Sequence, residues 1–223
     1  MKYKLPKKFS IKSARYAQNQ IAKKIEEKDC FLEKEIRYAA GVDLAYIDDT
    51  VIGSAVIVEK NTFKVIEKEF ALTKVTFPYI PTLLAFREVY PAWKALKKLK
   101  QKFDILFVDG NGKLHPFRAG FACQLGLIID KPTIGIAKKL LCGNQGKWKN
   151  NIAPIFDKND IIGYALKTSA KANPIYVSVG HKISLQTAVK LTLTFTKDNL
   201  KLPEPIRQAH IFANSIRRRY KNI

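Results

Sequence analysis

The apolar and polar residues of this chain follow two periods, and their succession predicts helices and strands. Apolar positions recur at helical spacing over residues 11–29. Strand-like runs follow at 38–46, 51–59 and 62–72, with polar turns between them. Because such short connections join antiparallel neighbours, the first third of the chain is predicted to be a helix followed by a three-stranded meander.

The remaining pattern alternates between the two periods and predicts an α/β protein. Weak periodicity over 142–174 predicts a long loop and then a short strand pair around 161–166. The other predicted elements are helices over 81–100, 116–129, 184–195 and 204–219 and strands over 104–108, 133–137 and 175–178. This order predicts a mixed β-sheet flanked by helices on both faces. No linker composition interrupts the chain, so residues 1–223 are predicted to form a single domain.

Three carboxylates occupy positions where an isolated charge would be costly. Asp43 lies inside an apolar run and Asp109 ends another. Glu88 falls on the apolar side of a predicted helix, in one arc with Ala92 and Leu96. A buried carboxylate must be protonated, paired or bound to a cation. Three of them on separate elements indicate a site for Mg²⁺, which prefers oxygen ligands.

The predicted topology permits these acids to meet. Asp109 ends a central strand, at the edge where ligands of open α/β sheets collect, and Lys138 follows the next strand at a comparable height. Taken singly, each acid has an ordinary structural explanation as a capped or salt-bridged side chain. Three acids in apolar settings make that explanation less attractive.

The composition shows a strong positive charge and argues against several classes of protein. The chain has 40 Lys and Arg against 19 Asp and Glu, a net charge of +21, which favours a polyanionic partner, although a solvated basic surface is the simpler explanation. No apolar run has the length of a membrane span and no signal core follows the basic start, so we expect a cytoplasmic protein without membrane contact. Three dispersed cysteines do not form a disulfide or zinc pattern. A buried acidic site in a basic chain is typical of a metal-dependent nuclease.

Several ordered segments combine Gly, Pro and charged residues in a distinctive way. They are Gly-Val-Asp-Leu-Ala-Tyr at 41–46, Pro-Tyr-Ile-Pro at 78–81, Phe-Arg-Glu at 86–88, Asp-Gly-Asn-Gly at 109–112, His-Pro at 115–116, Pro-Thr-Ile-Gly-Ile-Ala-Lys at 132–138, Gly-His-Lys-Ile-Ser-Leu at 180–185, and Leu-Pro-Glu-Pro-Ile-Arg at 202–207. Each is weak evidence alone. As a set that runs from about residue 10 to 219, they resemble endonuclease V, the deoxyinosine-directed repair nuclease.

The resemblance implies a ribonuclease-H-like fold and hydrolysis of the second phosphodiester bond 3′ to a deaminated base, which leaves 3′-hydroxyl and 5′-phosphate ends. It implies Mg²⁺ as cofactor, with Mn²⁺ as a substitute. The implied partner is DNA containing deoxyinosine, with no obligate protein partner. By matching, the metal-binding acids are Asp43, Glu88 and Asp109, the active-site lysine is Lys138 and the C-terminal histidine is His210.

These residue types suit phosphodiester hydrolysis, which needs an activated water and a stabilised leaving oxygen. Lys138 would neutralise charge on the pentacoordinate phosphate. His210 would orient the attacking water or accept its proton. His210 also lies beside an apolar helical stripe, where a histidine with no chemical role is common.

Residues 78–81 form a stiff segment, because two prolines fix the backbone around an aromatic and a branched residue. An ordinary turn would have the same composition. The resemblance instead implies that Tyr79, with Ile80 beside it, separates the strands at the lesion. The same matching assigns the pocket for the flipped base to Leu84, Gly110, His115 and Gly120. Glycines there would let backbone groups approach a base edge, and a backbone acceptor for N1–H of hypoxanthine would reject adenine.

Three departures from the family pattern affect these assignments. Asn111 stands where the family usually has histidine, so contacts to the metal or phosphate change. Phe117 stands where arginine is usual, although Arg118 follows at once. Val179 replaces a common proline, which predicts a less rigid loop before Gly180. None of the three touches the metal-binding acids, so activity is expected to survive.

Three alternatives remain open at the level of sequence. Inosine-containing RNA is the alternative substrate, since some members of the family prefer it. A basic protein that binds nucleic acid without cleaving it is the second alternative, and the complete set of acids argues against it. A structure-directed nuclease such as a junction resolvase is the third, because its related fold also carries clustered carboxylates.

Overall fold

A mixed β-sheet dominates the computed structural model, which describes residues 9–221. Within those residues the strands are β1 (Tyr38–Ile47), β2 (Thr50–Glu59), β3 (Val65–Lys74), β4 (Ile105–Asp109), β5 (Thr133–Ala137), β6 (Asn144–Gln145), β7 (Ile152–Asp157), β8 (Asp160–Leu166) and β9 (Ile175–His181). They lie in the order β3-β2-β1-β4-β5-β9-β8-β7-β6. β1, β4 and β5 are parallel and the other pairings are antiparallel.

Helices cover both faces of the sheet, which confirms the predicted fold class. They are α1 (Ile11–Lys23), α2 (Ala85–Leu96), α3 (Phe121–Ile129), α4 (Leu185–Thr194) and α5 (Glu204–Lys221). One apolar layer packs α2 and α3 against the sheet, and another packs α4 and the start of α5 against the opposite face. No helix of the described residues is long and apolar enough to cross a membrane.

Alternate residues of β1 face the two helical layers, as the period of a strand requires. Ala40 and Val42 pack with α2 and α3. Gly41 faces α5, where a Cβ would lie 2.1 Å from the carbonyl oxygen of Pro205. Glycine therefore allows α5 to cross β1 at close range. This approach brings the following turns of α5 beside Asp43, which has the same orientation on β1 as Gly41.

Several predicted boundaries are wrong, and each has a local cause. The helix predicted over 11–29 ends at Lys23. The helix predicted from Pro81 begins at Ala85, because Thr82 adopts a left-handed conformation with φ 66° and forms a turn instead. The helix predicted over 116–129 begins at Phe121, after a loop in which Arg118 also has positive φ.

The region 142–174, predicted to contain a long loop and then a short strand pair, contains a hairpin. Its second strand, β8, overlaps the strand pair expected around 161–166. Its first strand, β7, was not predicted because Pro154 interrupts a short apolar run, although Pro154 pairs with Tyr164 in register. The strand predicted over 175–178 continues as β9 to His181.

Candidate active site

The edge of the sheet beyond β4 brings three predicted site residues together. Asp43 lies on β1, Asp109 ends β4, and His210 lies one and a half turns into α5. Potential ligand atoms of these three side chains all lie within 4.8 Å of one another. Asp43 is 8% exposed, whereas His210 is half exposed at the edge of the cluster. Buried carboxylate oxygens that converge in this way form a candidate metal site.

Lys138 and Glu88 approach the same cluster from two further elements. Lys138 follows β5 and its ammonium donates to Asp109 Oδ2. Glu88 belongs to the first turn of α2, on the other face of the sheet from His210. It is not part of the 4.8 Å group, but the charges of Asp43 and Asp109 act on it. The structure thus brings all five predicted residues to one region, with Glu88 at its margin.

Burial and mutual repulsion perturb the carboxylates. Burial, then the charges of Asp109 and Asp43, raise the pKa of Glu88 to about 8. Burial and Asp43 raise the pKa of Asp109 to about 6, against the opposing effect of Lys138. These shifts indicate that the local positive charge does not compensate the clustered acids. A divalent cation would supply that compensation, so the residues present fit a metal ion.

A cavity of about 230 Å³ opens beside the acidic cluster. Its lining includes Tyr79 and Pro81 together with Glu88 and Asp109. Tyr79 is 64% exposed, as a strand-separating side chain requires. The predicted pocket residues that line this cavity are Leu84, Gly110, His115 and Gly120. Ile80 does not line it.

Ile80 and the two pocket glycines have structural explanations of their own. Ile80 packs against a small core of Ala14, Phe77 and Leu83. A Cβ on Gly120 would lie 2.2 Å from a backbone oxygen of the 111–112 segment. On Gly110 it would lie 2.9 Å from the ring of Phe121. Close packing of the pocket wall therefore requires Gly120 even without a base in the cavity.

His115 uses both ring nitrogens inside the protein. Its Nε2 lies 3.1 Å from the carbonyl oxygen of Thr82, and its Nδ1 accepts from the backbone N–H of Phe117 at 3.2 Å. Because a carbonyl only accepts, the proton must sit on Nε2. Burial, with Arg15 and Arg118 nearby, lowers the pKa of His115 to about 4. His115 is thus a neutral side chain whose ring nitrogens both have partners.

The structure accommodates the three departures from the family pattern, at Asn111, Phe117 and Val179, in different ways. The Asn111 side-chain oxygen is buried and has no hydrogen-bond partner among the described residues. The Arg15 guanidinium lies 4.2 Å from the centre of the Phe117 ring. Arg118 pairs with Asp157 on the β7–β8 hairpin. The expectation of a loosened loop at Val179 is wrong, because Val179 is a buried residue inside β9.

Sequence reasoning missed two residues beside the cluster. Asn214 Nδ2 lies 3.0 Å from His210 Nε2, and its position one helical turn further along α5 was the available signal. Tyr46 lies near Glu88, and burial with that neighbouring charge raises the pKa of Tyr46 to about 12. Its position in the segment around Asp43 was visible, but nothing in the sequence related Tyr46 to α2.

Comparison with known proteins identifies the family. The family model described as endonuclease V matches residues 19–211. Endonuclease V of Thermofilum pendens is 52% identical over 216 residues, which are 97% of this chain and 93% of that protein. The chain belongs to the endonuclease V family.

Solved structures of endonuclease V share this fold. The enzyme from Bacillus subtilis matches with a TM-score of 0.91 at 28% identity, over 97% of this chain and 95% of that one. Endonuclease V from Ciona intestinalis, in complex with a 24mer DNA containing an inosine followed by a ribo-adenosine, matches with a TM-score of 0.85 at 27% identity, over 94% and 98% of the two chains. The family assignment and the enzyme class predicted from the sequence, an endonuclease, are confirmed.

Proposed function

We propose that this endonuclease recognises deoxyinosine in DNA, hydrolyses the second phosphodiester bond on its 3′ side, and leaves 3′-hydroxyl and 5′-phosphate ends for repair. The observation that carries the proposal is that Asp109, which belongs to the Asp43–Asp109–His210 group, lines the same cavity as Tyr79. A base turned into the cavity would leave its 3′ backbone near the acids. The inosine-containing DNA bound to the Ciona intestinalis relative is consistent with this substrate.

The metal-binding role belongs to Asp43, Glu88 and Asp109, and Mg²⁺, with Mn²⁺ as a substitute, is the cation of choice for carboxylate oxygens. When bound, the metal supplies a water of lowered pKa and stabilises charge on the leaving oxygen. Asp43 and Asp109 offer the closely spaced oxygens. Glu88, whose raised pKa reflects the same crowding of acids, would ionise as positive charge arrives.

Lys138 and His210 act on the phosphate and the attacking water. Lys138 is close enough to donate to Asp109, so its ammonium can also reach a phosphate oxygen held over the acids and neutralise its developing charge. His210 donates through Nδ1 to Asp43 Oδ2 at 2.7 Å, which fixes the ring. Its Nε2 is then the acceptor that orients the water or takes its proton. The water would replace Asn214 Nδ2, which contacts this nitrogen in the structure.

Recognition of the base uses the wedge and the pocket. Tyr79 replaces the extruded base in the stack, with its backbone stiffened by the neighbouring prolines. Leu84, Gly110 and Gly120 supply the walls of the cavity, where a backbone oxygen that accepts from N1–H would favour hypoxanthine over adenine. His115 holds the pocket wall through its neutral ring and does not itself offer a free nitrogen to the base.

The second candidate substrate is inosine-containing RNA. Matched DNA and RNA strands, each with one inosine, should be cleaved side by side in Mg²⁺ and in Mn²⁺. Faster cleavage of DNA supports the repair assignment, and a pronounced preference for RNA would overturn it. An inosine-free branched DNA in the same assay tests the structure-directed alternative, and binding without cleavage in either metal would indicate the non-catalytic one.

A further inference from the structure

Gln18 is a buried polar residue on the inner side of α1, far from the acidic cluster in sequence. It is fully buried, and Ala14 is the other buried residue of that helix. A buried amide needs hydrogen-bond partners, since desolvation without them is costly. Gln18 has two: its Nε2 donates to the Thr82 carbonyl at 2.7 Å, and its Oε1 accepts from Arg15 at 2.8 Å.

Thr82 is the strained residue of the wedge segment, which we define as residues 78–84. The backbone N–H of Leu83 donates to the carbonyl of Ile80 at 3.0 Å, which closes a turn around Pro81 and Thr82. Thr82 has φ 66°, a left-handed conformation that suits glycine and is uncommon for a β-branched residue. Such strain persists only where the surroundings hold the backbone in place.

Two side chains hold the Thr82 carbonyl from different parts of the fold. Gln18 donates from α1, and His115 donates from the pocket wall. The same carbonyl therefore joins the wedge segment to the amino-terminal helix and to the loop that lines the base cavity. Packing follows the same path, because Ala14 of α1 lies in one small core with Phe77 and Leu83.

We propose that Gln18 is a positioning residue for lesion recognition: its amide holds the Thr82 turn, and the turn fixes Tyr79 relative to the base pocket. This role presupposes the inosine-directed activity proposed above. Gln18 touches neither the cavity nor the acidic cluster, so its loss should weaken selection of inosine and leave the rate of cleavage from the bound state unchanged.

The test is Gln18→Leu, which keeps the volume and removes the donor. Binding to strands with and without one deoxyinosine is measured in Ca²⁺, and single-turnover cleavage is measured at saturating enzyme in Mg²⁺. We expect the ratio of the two affinities to fall about tenfold, which corresponds to the loss of one of the two hydrogen bonds to the Thr82 carbonyl, with the saturating rate within twofold of wild type. The matched control is Gln20→Leu on the same helix, whose side chain makes no hydrogen bond in the described part of the chain.

Two further variants separate positioning from general damage. Gln18→Glu keeps the contact with Arg15 but has no N–H for the carbonyl, so it should lose the same selectivity while remaining folded. Thr82→Gly removes the strain of the left-handed turn, so the effect of Gln18→Leu should be smaller in that background.

The outcomes are distinct. Equal loss of affinity for both strands, or an unchanged affinity ratio in the Leu and Glu variants, would overturn the role of Gln18. The role would also be overturned if Gln18→Leu lowered the affinity ratio equally in the wild-type and the Thr82→Gly backgrounds. A wild-type protein that does not distinguish the two strands would instead contradict the proposed function, and a role in lesion recognition would fall with it.

Discussion

His210 Nδ1 donates a hydrogen bond to Asp43 Oδ2 across 2.7 Å and thereby joins α5 to β1 at the acidic cluster. The bond exists because Gly41 lets α5 cross the strand at close range. Since Asp43 accepts, the proton resides on Nδ1 and the lone pair lies on Nε2. The ring is therefore held in the tautomer that can accept a proton from water.

His210→Ala should lower the rate of cleavage at saturating substrate by about 10² to 10⁴, the usual contribution of a positioned acid or base. Affinity for the inosine strand in Ca²⁺ should stay near wild type, because the half-exposed ring is not needed for the fold. Asn214→Ala is the matched comparison, since it preserves the bond to Asp43, and should lose less than tenfold. A His210→Ala rate above one-tenth of wild type would remove His210 from the chemistry.

Lys138→Met should reduce the rate and shift its dependence on pH. The ammonium of Lys138 favours the ionised form of Asp109, whose pKa burial and Asp43 raise to about 6. Without the ammonium the pKa of Asp109 rises further, so the acidic limb of the pH–rate profile should move to higher pH. Lys139→Met, at an exposed neighbouring lysine, is the control. An unmoved limb in Lys138→Met would show that the two groups do not interact in the working enzyme.

The metal-free protein should lose stability as pH rises from 7 to 8, above the range in which protonation of His115 in the unfolded chain acts in the opposite direction. Glu88 has a pKa of about 8, raised from an ordinary 4.5, so the native state retains a proton that the unfolded chain has released. The free energy of unfolding therefore falls with pH in this window, by at most about 1.4 kcal/mol per pH unit for one proton. Asp109, at about 6, adds to the slope mainly below this range.

Urea unfolding in EDTA at several pH values measures this slope, and Glu88→Gln should flatten it. Added Mg²⁺ should stabilise the wild type more at pH 8 than at pH 6, because the ion must displace fewer protons. Stability that rises from pH 7 to 8 without metal would contradict the assignment of a protonated Glu88.

Tyr79→Ala should weaken recognition of inosine more than general affinity for DNA. The exposed ring borders the cavity, and in the proposed role it would stack on the bases, so its loss would remove stacking of about 1–3 kcal/mol at the lesion. Tyr16→Ala, at a comparably exposed tyrosine on α1, is the control. Binding to strands with and without inosine gives the comparison. Parallel losses on both strands would contradict the role of Tyr79 as a wedge.

The sheet and the acids were predictable, because strand periodicity and buried charge are local properties of a sequence. The apolar runs around Asp43 and Asp109 predicted both the strands and the cost of their carboxylates. Glu88 was placed correctly on α2, although the predicted start of that helix at Pro81 was wrong.

What sequence did not provide is the set of long-range partners. The left-handed turn at Thr82 is held by hydrogen bonds from Gln18 of α1 and His115 of the pocket wall. These partners are distant in sequence, so local conformational propensity does not predict them. His115 was assigned to the base, whereas its ring nitrogens bind within the protein. The contact between Asn214 and His210 likewise depends on where α5 crosses the sheet.

The most direct test of the proposed function is to map the nick in end-labelled DNA that carries one deoxyinosine, in Mg²⁺, beside an inosine-free strand and the Asp109→Asn variant. We expect a single cut at the second phosphodiester bond 3′ to the inosine, with 3′-hydroxyl and 5′-phosphate ends. The control strand should not be cut, and the variant should not cleave either strand, although it should still bind in Ca²⁺. Cleavage of the inosine-free strand at an equal rate, or full activity of Asp109→Asn, would contradict the proposed function.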